Sequence, residues 1–434
     1  MSINEGLKRK IGLWGLVSNN INITVGAGIF LLPVIIARQL GTASILAYLV
    51  CGILIMLIMM CFAEVGSVIT RSGGPYSYIE EAFGSFAGFL TTNIFIFGGA
   101  VMSNAAVANG LADTLAYYIP LFDVNWFRVL FFFLMFGGFA IINVVGVSQA
   151  MKLVNFNTVA KLTPLLLIAL LGWVFIKPEN LQWEAMPRLG DIGEMSMVLI
   201  FAFIGGETAL NVSGEIKNPA RTIPRGILLS VLGIVILYIL IQYTVQGVLG
   251  DEMGEYADAP LAEAAFRMIG PLGASIVIIG TSFAMFGNLS GMVLNMSRVL
   301  FASARDRVIK SRALASVHPR YATPWVSVIV YASLGFIFAT VGEFKQLALL
   351  SGSSYLLIYL GVVLSVIKFR IKGDETGSGR TFRVPGGYTI PIISVVAILW
   401  FLSSLPGREL MAMLIFLCIL TLAFFILKLF SPIK

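Results

Sequence analysis

The 434-residue chain is 58% hydrophobic and only 12% charged, with a mean hydropathy of +0.93 and a formal net charge of +7. That balance excludes a soluble globular domain of this length and implies a polytopic membrane protein. The basic excess then reflects topology and anionic membrane lipid, and no nucleic-acid partner is expected.

Stretches able to cross a hydrocarbon core of about 30 Å, each needing roughly 20 apolar residues, are read at 11–40, 43–69, 84–119, 126–147, 156–176, 192–214, 225–249, 272–303, 324–342, 346–369, 389–405 and 409–430. These twelve segments predict an all-α membrane protein. With the N-terminus inside, the outer connections hold only Arg38, Arg128, Lys177, Arg188, Arg267, Lys345 and Arg408 of the 29 Lys and Arg. Both termini are therefore predicted to be cytoplasmic, in a multi-pass protein of the cell inner (cytoplasmic) membrane. Lys8-Arg9-Lys10 precedes a span too long for a signal-peptide core, so the first helix is read as retained.

The first segment is interrupted by Gly26-Ala27-Gly28. Broken backbone at membrane depth is tolerated only where protein buries it or it lines a cavity, so the triplet marks a candidate binding site. Helix is expected to resume near Ile29. The amides of Ala27, Gly28 and Ile29 then lack intrahelical acceptors at the positive end of a dipole, where an anion fits. Carbonyls of Thr24 and Val25, at the end of the preceding helix, suit an ammonium group. The competing reading is close helix packing through small residues.

Glu64 and Asp113 stand toward the ends of the second and third segments, where interfacial hydration accounts for both. Between those segments, Arg71 to Gly84 combines a Gly-Pro turn with an aromatic and acidic helical turn, expected along the inner surface. Asn104 is polar within the third segment, and an interhelical hydrogen bond is one reading of it. Lys161 lies about a turn inside the cytoplasmic end of the fifth segment, where snorkelling would explain it.

The sixth segment supplies a second break at Gly205-Gly206, with the carbonyls of Phe203 and Ile204 as further ammonium acceptors. Carboxylate donors beside ammonium acceptors are what the backbone of an α-amino acid requires. Glu207 follows at once; an ionised carboxylate there costs about 2.5 kcal/mol or more unless paired, hydrated or protonated. It reads as a proton-sensitive switch, as a partner for a cationic substrate, or as a buried hydrogen-bonded acid.

Asp251 to Pro271 is the longest outer connection; Ala259 to Ala265 predicts a short helix that either covers an outward opening or is a solvated connector. Cys51, Cys61 and Cys418 fall within apolar spans and read as small hydrophobes. His318 is the only histidine, and no clustered Cys/His pattern supports a metal or a cofactor. Residues 1–177 and 189–370 form two five-segment halves, each opening on a glycine-interrupted helix, followed by two further segments over 389–434. Because five is odd, the second half enters from the opposite side as an inverted repeat. The final two segments serve homodimer formation or seal the bundle.

Gly26-Ala27-Gly28-Ile29-Phe30, Gly73-Gly74-Pro75-Tyr76-Ser77-Tyr78, Phe203-Ile204-Gly205 and Glu215-Ile216-Lys217-Asn218-Pro219 with Pro224 resemble the amino acid–polyamine–organocation superfamily of amino acid permeases. Phe203 to Glu207 is similar to the same stretch in bacterial arginine/agmatine antiporters. The resemblance implies twelve transmembrane helices in a LeuT-type 5+5 inverted repeat, with helices 1 and 6 discontinuous. Substrate would lie between the first, third, sixth, eighth and tenth segments, reached by alternating access.

By the same resemblance, Phe201 is a gating aromatic, with packing as the other reading of Phe201 and Phe203 alike. Asn104 would contact substrate, and Ser290, ahead of Ser297-Arg298, would face the pocket. Gly206 would leave room where several relatives carry a bulky residue. Lys161 would set its ammonium near the first break, where sodium-coupled relatives hold an ion. The function expected is sodium-independent, proton-coupled secondary transport of an amino acid, with exchange of amino acids or amines as the alternative. A channel and a membrane enzyme stand further off, since the polar groups cluster at the breaks and no nucleophile, base and metal converge.

Overall fold

A computed structural model describes residues 11–69, 74–145, 150–183, 186–207, 216–255, 259–372 and 382–430. Lys8-Arg9-Lys10, Arg71 to Gly73, Glu215 and the end of the expected sixth segment lie outside those residues. The described elements are helical: α1 (Leu13–Thr24), α2 (Gly28–Leu40), α3 (Ser44–Val68), α4 (Gly74–Phe83), α5 (Ser85–Asn93), a π-helix (Ile94–Val101), α6 (Met102–Ala116), α7 (Asn125–Val145) and α8 (Ala150–Leu171). They continue with α9 (Leu189–Phe203), α10 (Pro219–Leu249), α11 (Pro260–Ile269), α12 (Pro271–Arg305), α13 (Trp325–Val341), α14 (Phe344–Lys372), α15 (Thr389–Ser403) and α16 (Gly407–Phe430).

Among the described residues, seven helical stretches are long and apolar enough to cross a membrane, and three shorter apolar helices accompany them. The chain is a multi-pass membrane protein. Burial sorts its helices: the spanning window within α14 is 72% buried and that within α16 only 17%, so α14 runs through the interior while α16 lies on the perimeter. α10, with 31 residues, is about 46 Å long at 1.5 Å per residue, longer than a bilayer core. Pro219 opens it at a position where a missing N–H costs nothing, directly after Asn218 in the left-handed region.

The expected third segment is not one α-helix. Its π-helical turns free carbonyls from regular pairing, and hydroxyls of neighbouring helices take them up: Ser351 donates to Gly99 at 3.0 Å and Tyr331 to Ala100 at 3.1 Å. Gly98 and Gly99 permit this closeness, since a Cβ on Gly99 would stand 2.8 Å from the Tyr355 ring.

Around the centre, α2 packs on α9, α1 and α3 on α10, and α14 on α6, α9 and the π-helix. The two expected breaks thus sit side by side, framed by α10 and α14. The stretch before α1 is also tied to the stretch before α10, where Lys217 N–H donates to the Ile11 carbonyl at 2.9 Å. The helix expected in the longest outer connection is α11, in which every residue from Pro260 to Ala265 is buried, so it is no solvated connector.

Two acidic residues differ from their expected setting. Glu64 is 6% exposed and takes the Arg370 guanidinium on both oxygens plus the Val384 N–H at 2.7 Å, so pairing and not hydration holds it. Asp113 lines a cleft and pairs with Arg128 at 2.8 Å.

Candidate functional site

The first break is short. α1 ends at Thr24, Val25 turns extended at ψ 92°, and helix resumes at Gly28, one residue earlier than expected. At the opposite side, α9 ends at Phe203, Ile204 is extended at ψ 134°, and Gly205 adopts φ +121°, a conformation that disfavours any side chain.

The breaks touch each other. A Cβ on Gly28 would lie 2.7 Å from the Ala202 Cα, so the start of α2 and the end of α9 meet backbone to backbone. A Cβ on Gly205 would lie 3.3 Å from the Thr24 Cα, which brings the second break against the end of α1. Small residues therefore do pack here, and packing and an open backbone coexist in one place. A Cβ on Gly206 would come no closer than 3.8 Å to its nearest neighbours, on Thr24, Val231 and Met59, an ordinary contact distance.

Free helix ends expose four terminal carbonyls and four terminal amides. At the end of α1, Val25 N–H returns to Ile21, while Asn22 accepts the Lys161 ammonium and Thr24 lies 3.4 Å from the Tyr238 hydroxyl. Tyr238 donates more closely, at 3.0 Å, to the Ala202 carbonyl of α9. Lys161 is buried, with 5% of its surface exposed, so it does not reach for solvent as a snorkelling lysine would. At the start of α2, Phe30 N–H returns to Ala27 at 3.1 Å, and the amides of Gly28 and Ile29 precede the first intrahelical acceptors. Amide donors of one helix start and carbonyl acceptors of two helix ends thus converge.

Glu207 closes the second break. Its Oε2 accepts the Gly205 N–H at 3.1 Å and the Tyr359 hydroxyl at 2.8 Å, while its buried Oε1 has no donor. Tyr359 meets Phe62 edge to face at 5.4 Å, which fixes the hydroxyl over the carboxylate.

Phe201 and Phe203 point into different surroundings. Phe201 meets Phe344 edge to face at 5.7 Å, and Phe203 packs on Tyr238 at 5.0 Å. Phe344 also lines an open cleft of about 900 Å³ together with Leu31, Asn109, Arg128 and Lys345, at the end of the bundle predicted to face outward. The Phe201–Phe344 contact thus ties the wall of this cleft to α9, two residues before that helix ends at the second break.

Asn104 is fully buried in α6, and neither atom of its amide has a hydrogen-bond partner. An interhelical bond is not what holds it. Ser290 is half-buried in α12. Two positions earlier, Asn288 brings its amide nitrogen to 3.9 Å from where a Gly26 Cβ would stand. Two helical residues differ by about 200° in direction, so Asn288, which the sequence reading passed over, is an α12 polar group turned toward the first break. Tyr238, Tyr359 and Asn288 carry no sequence signal that separates them from other polar residues in apolar segments. Among the described residues, no group of three or more His, Cys, Asp or Glu forms a metal cluster.

A family model described as amino acid permease matches residues 11–430. The chain is 26% identical to the serine/threonine exchanger SteT of Bacillus subtilis, over 92% of each chain. It is 23% identical to the branched-chain amino acid permease BcaP of the same organism, over 97% of this chain and 93% of that one. With the cystine/glutamate transporter of Pongo abelii the identity is 27%, over 87% of this chain and 77% of the relative. Two adjoining helix breaks, a multi-pass helical body and a match over nearly the whole length lead to one conclusion: the chain belongs to the amino acid permease family of the amino acid–polyamine–organocation superfamily.

Proposed function

We propose that the protein is a secondary transporter of amino acids that binds the α-carboxylate and α-ammonium of its substrate at the two helix breaks. The observation that carries this reading is the backbone contact of Gly28 with Ala202, which brings the start of α2 against the end of α9. The Gly28 and Ile29 amides take the carboxylate; carbonyls near Val25, Phe203 and Ile204 take the ammonium. Phe201 gates the outer cleft. Asn104, with its unpartnered amide, and Asn288 meet the substrate side chain.

The proposed architecture is a twelve-helix, inverted five-plus-five repeat in the cytoplasmic membrane with both termini inside. Residues 1–177 and 189–370 are its halves, and 389–434 adds two peripheral helices. Lys161 replaces a sodium ion with a fixed ammonium at the end of α1, and Glu207 couples the second break to protons. Support for exchange, as the alternative, comes from the serine/threonine exchanger among the relatives.

Uptake into liposomes reconstituted with the purified protein tests the reading. A competition panel of all common amino acids and several polyamines, with and without sodium, is expected to reveal saturable, sodium-independent uptake of one or a few amino acids. Saturable uptake of none would overturn it. Preloading with unlabelled substrate then separates mechanisms: strong trans-stimulation with little net uptake marks exchange, and accumulation under an imposed proton gradient marks symport.

A further inference from the structure

The outer cleft ends on a closed floor. Leu31, Ile35 and Arg38, at i, i+4 and i+7 of α2, face the cleft, and Phe344 and Lys345, which open α14, line it as well. Leu31 and Phe344 converge over Gly110 of α6: a Cβ there would overlap a Leu31 methyl and stand 3.4 Å from the Phe344 ring. Only a residue without a side chain lets the two meet. Among the described residues, none of α9 lines the cleft, although α9 packs on both α2 and α14. The second break thus lies behind this floor, and a solute in the cleft reaches it when α2 and α14 part.

Glu194, in the second turn of α9, holds those two helices together. Its Oε1 takes the Lys345 ammonium at 2.9 Å and its Oε2 the Gln39 amide at 3.3 Å, so one carboxylate joins the end of α2 to the start of α14. Two turns on, Phe201 meets Phe344 with ring centroids 5.7 Å apart. Residues 194 and 201 differ by only about 20° in direction, so a single face of α9 grips the first two residues of α14, one by charge and one by ring packing. The Lys345 and Glu194 side chains are 41% and 26% exposed, within reach of water that takes over either group when they separate. A half-exposed ion pair adds little to overall stability, which suits a contact made and broken in each cycle.

We propose that Glu194 is the positioning residue of an outer latch: it draws Gln39 and Lys345 together, which holds Leu31 and Phe344 closed over Gly110, and release of Lys345 opens the cleft toward the breaks. The proposal rests on the transporter reading for the substrate that passes, while the latch itself concerns access alone. Gln39 fits either polarity of the pair, since its amide both donates and accepts. Exchanging the charges at positions 194 and 345 therefore conserves the latch, whereas removing one charge releases it.

The test is labelling of a cysteine placed beneath the floor, a readout that does not depend on transport. Ala106 is fully buried on the Gly110 face of α6, one turn farther from the cleft. In cells expressing the full-length Ala106→Cys protein, a membrane-impermeant methanethiosulfonate added outside is expected to label this position slowly, measured above a control that has Cys51, Cys61 and Cys418 alone. Glu194→Gln and Lys345→Met should each speed labelling about two- to fivefold, the range such a pair supplies. Gly110→Ala, which wedges Leu31 away from Phe344 without touching a charge, should do the same. Glu194→Lys combined with Lys345→Glu should restore the slow rate, a rescue that a general loosening of the fold would not show. Rapid labelling of Ala106→Cys by itself, an unchanged rate in any of the three single variants, or a charge-exchanged protein labelled as fast as they are would each overturn the proposal. Amino acid uptake in liposomes, measured separately, tests the transporter reading, so either can fail without the other.

Discussion

Tyr238, near the middle of α10, donates its hydroxyl to the Ala202 carbonyl at 3.0 Å and stands 3.4 Å from the Thr24 carbonyl, so one side chain reaches the ends of both broken helices. Each of those carbonyls lost its helical partner when the chain broke. Tyr238→Phe keeps the ring on Phe203 and deletes only the donor. Leaving a buried acceptor unsatisfied costs about 1–3 kcal/mol. The expected outcome is a lower melting temperature of the purified protein together with slower uptake at unchanged expression. A melting temperature equal to wild type would assign the pairing of the breaks to glycine packing alone.

Two glycines at the breaks are predicted to respond oppositely to the same added methyl group. At Gly28 a Cβ would stand 2.7 Å from Ala202 Cα, where only backbone can yield. Overpacking of this kind costs about 1–3 kcal/mol and moves the amides that are proposed to hold the carboxylate. At Gly206 the new atom meets Thr24, Val231 and Met59 at 3.8–3.9 Å. Gly28→Ala is expected to abolish uptake, and Gly206→Ala to retain most of it. Equal loss in both variants would contradict the packing argument.

Lys161 places its ammonium on the Asn22 carbonyl, two residues before the end of α1. A positive charge fixed at that helix end repels a sodium ion from the neighbouring carbonyls, while it satisfies one of them. Uptake is thus expected to be unchanged when sodium is replaced by N-methylglucamine. Lys161→Ala is expected to lose transport at normal expression. Unchanged rates in that variant would return the residue to a role in packing.

The breaks were legible in the sequence because glycine and alanine triplets in an apolar run have few other uses, and Lys161 and Glu207 because charge at membrane depth is costly. What filled the breaks was not. Tyr238 and Tyr359 are ordinary members of apolar helices until their rotation is known, and only the fold aims their hydroxyls at Ala202 and Glu207. The approach of Asn288 to Gly26 is likewise a matter of helix phase, which a resemblance in spacing does not fix to within two residues. The π-helix escaped notice because its turns differ from α-helix by one residue in pairing and leave no compositional mark beyond Gly98-Gly99.

Glu64 and Arg370 lie 306 residues apart and form a pair that also binds the chain between α14 and α15 through the Val384 N–H and the Gly387 carbonyl. Such a pair is expensive to halve: removing one partner of a buried ion pair costs about 3–5 kcal/mol. Glu64→Gln is expected to lower the melting temperature more than Tyr238→Phe does. Arg370→Lys should lower it as well, because a single ammonium cannot reproduce the two-pronged contact with Glu64. A Glu64→Gln protein as stable as wild type would reduce the pair to an incidental contact.

Glu207 is where coupling is decided. In the symport reading the carboxylate takes a proton from the outer solution with each turnover, so wild-type uptake should rise as the outside is made more acid. Glu207→Gln holds this side chain permanently neutral and keeps an oxygen to accept from Gly205 and Tyr359, the bonds that now order the break. Uptake by the variant is therefore expected to be flat with external pH and to lose accumulation under a proton gradient, while exchange against preloaded substrate persists. Conserved exchange with lost accumulation is the signature of a coupling residue, since a defect in binding would depress both. A pH profile identical to wild type would remove Glu207 from coupling and leave it as the acid that closes the second break.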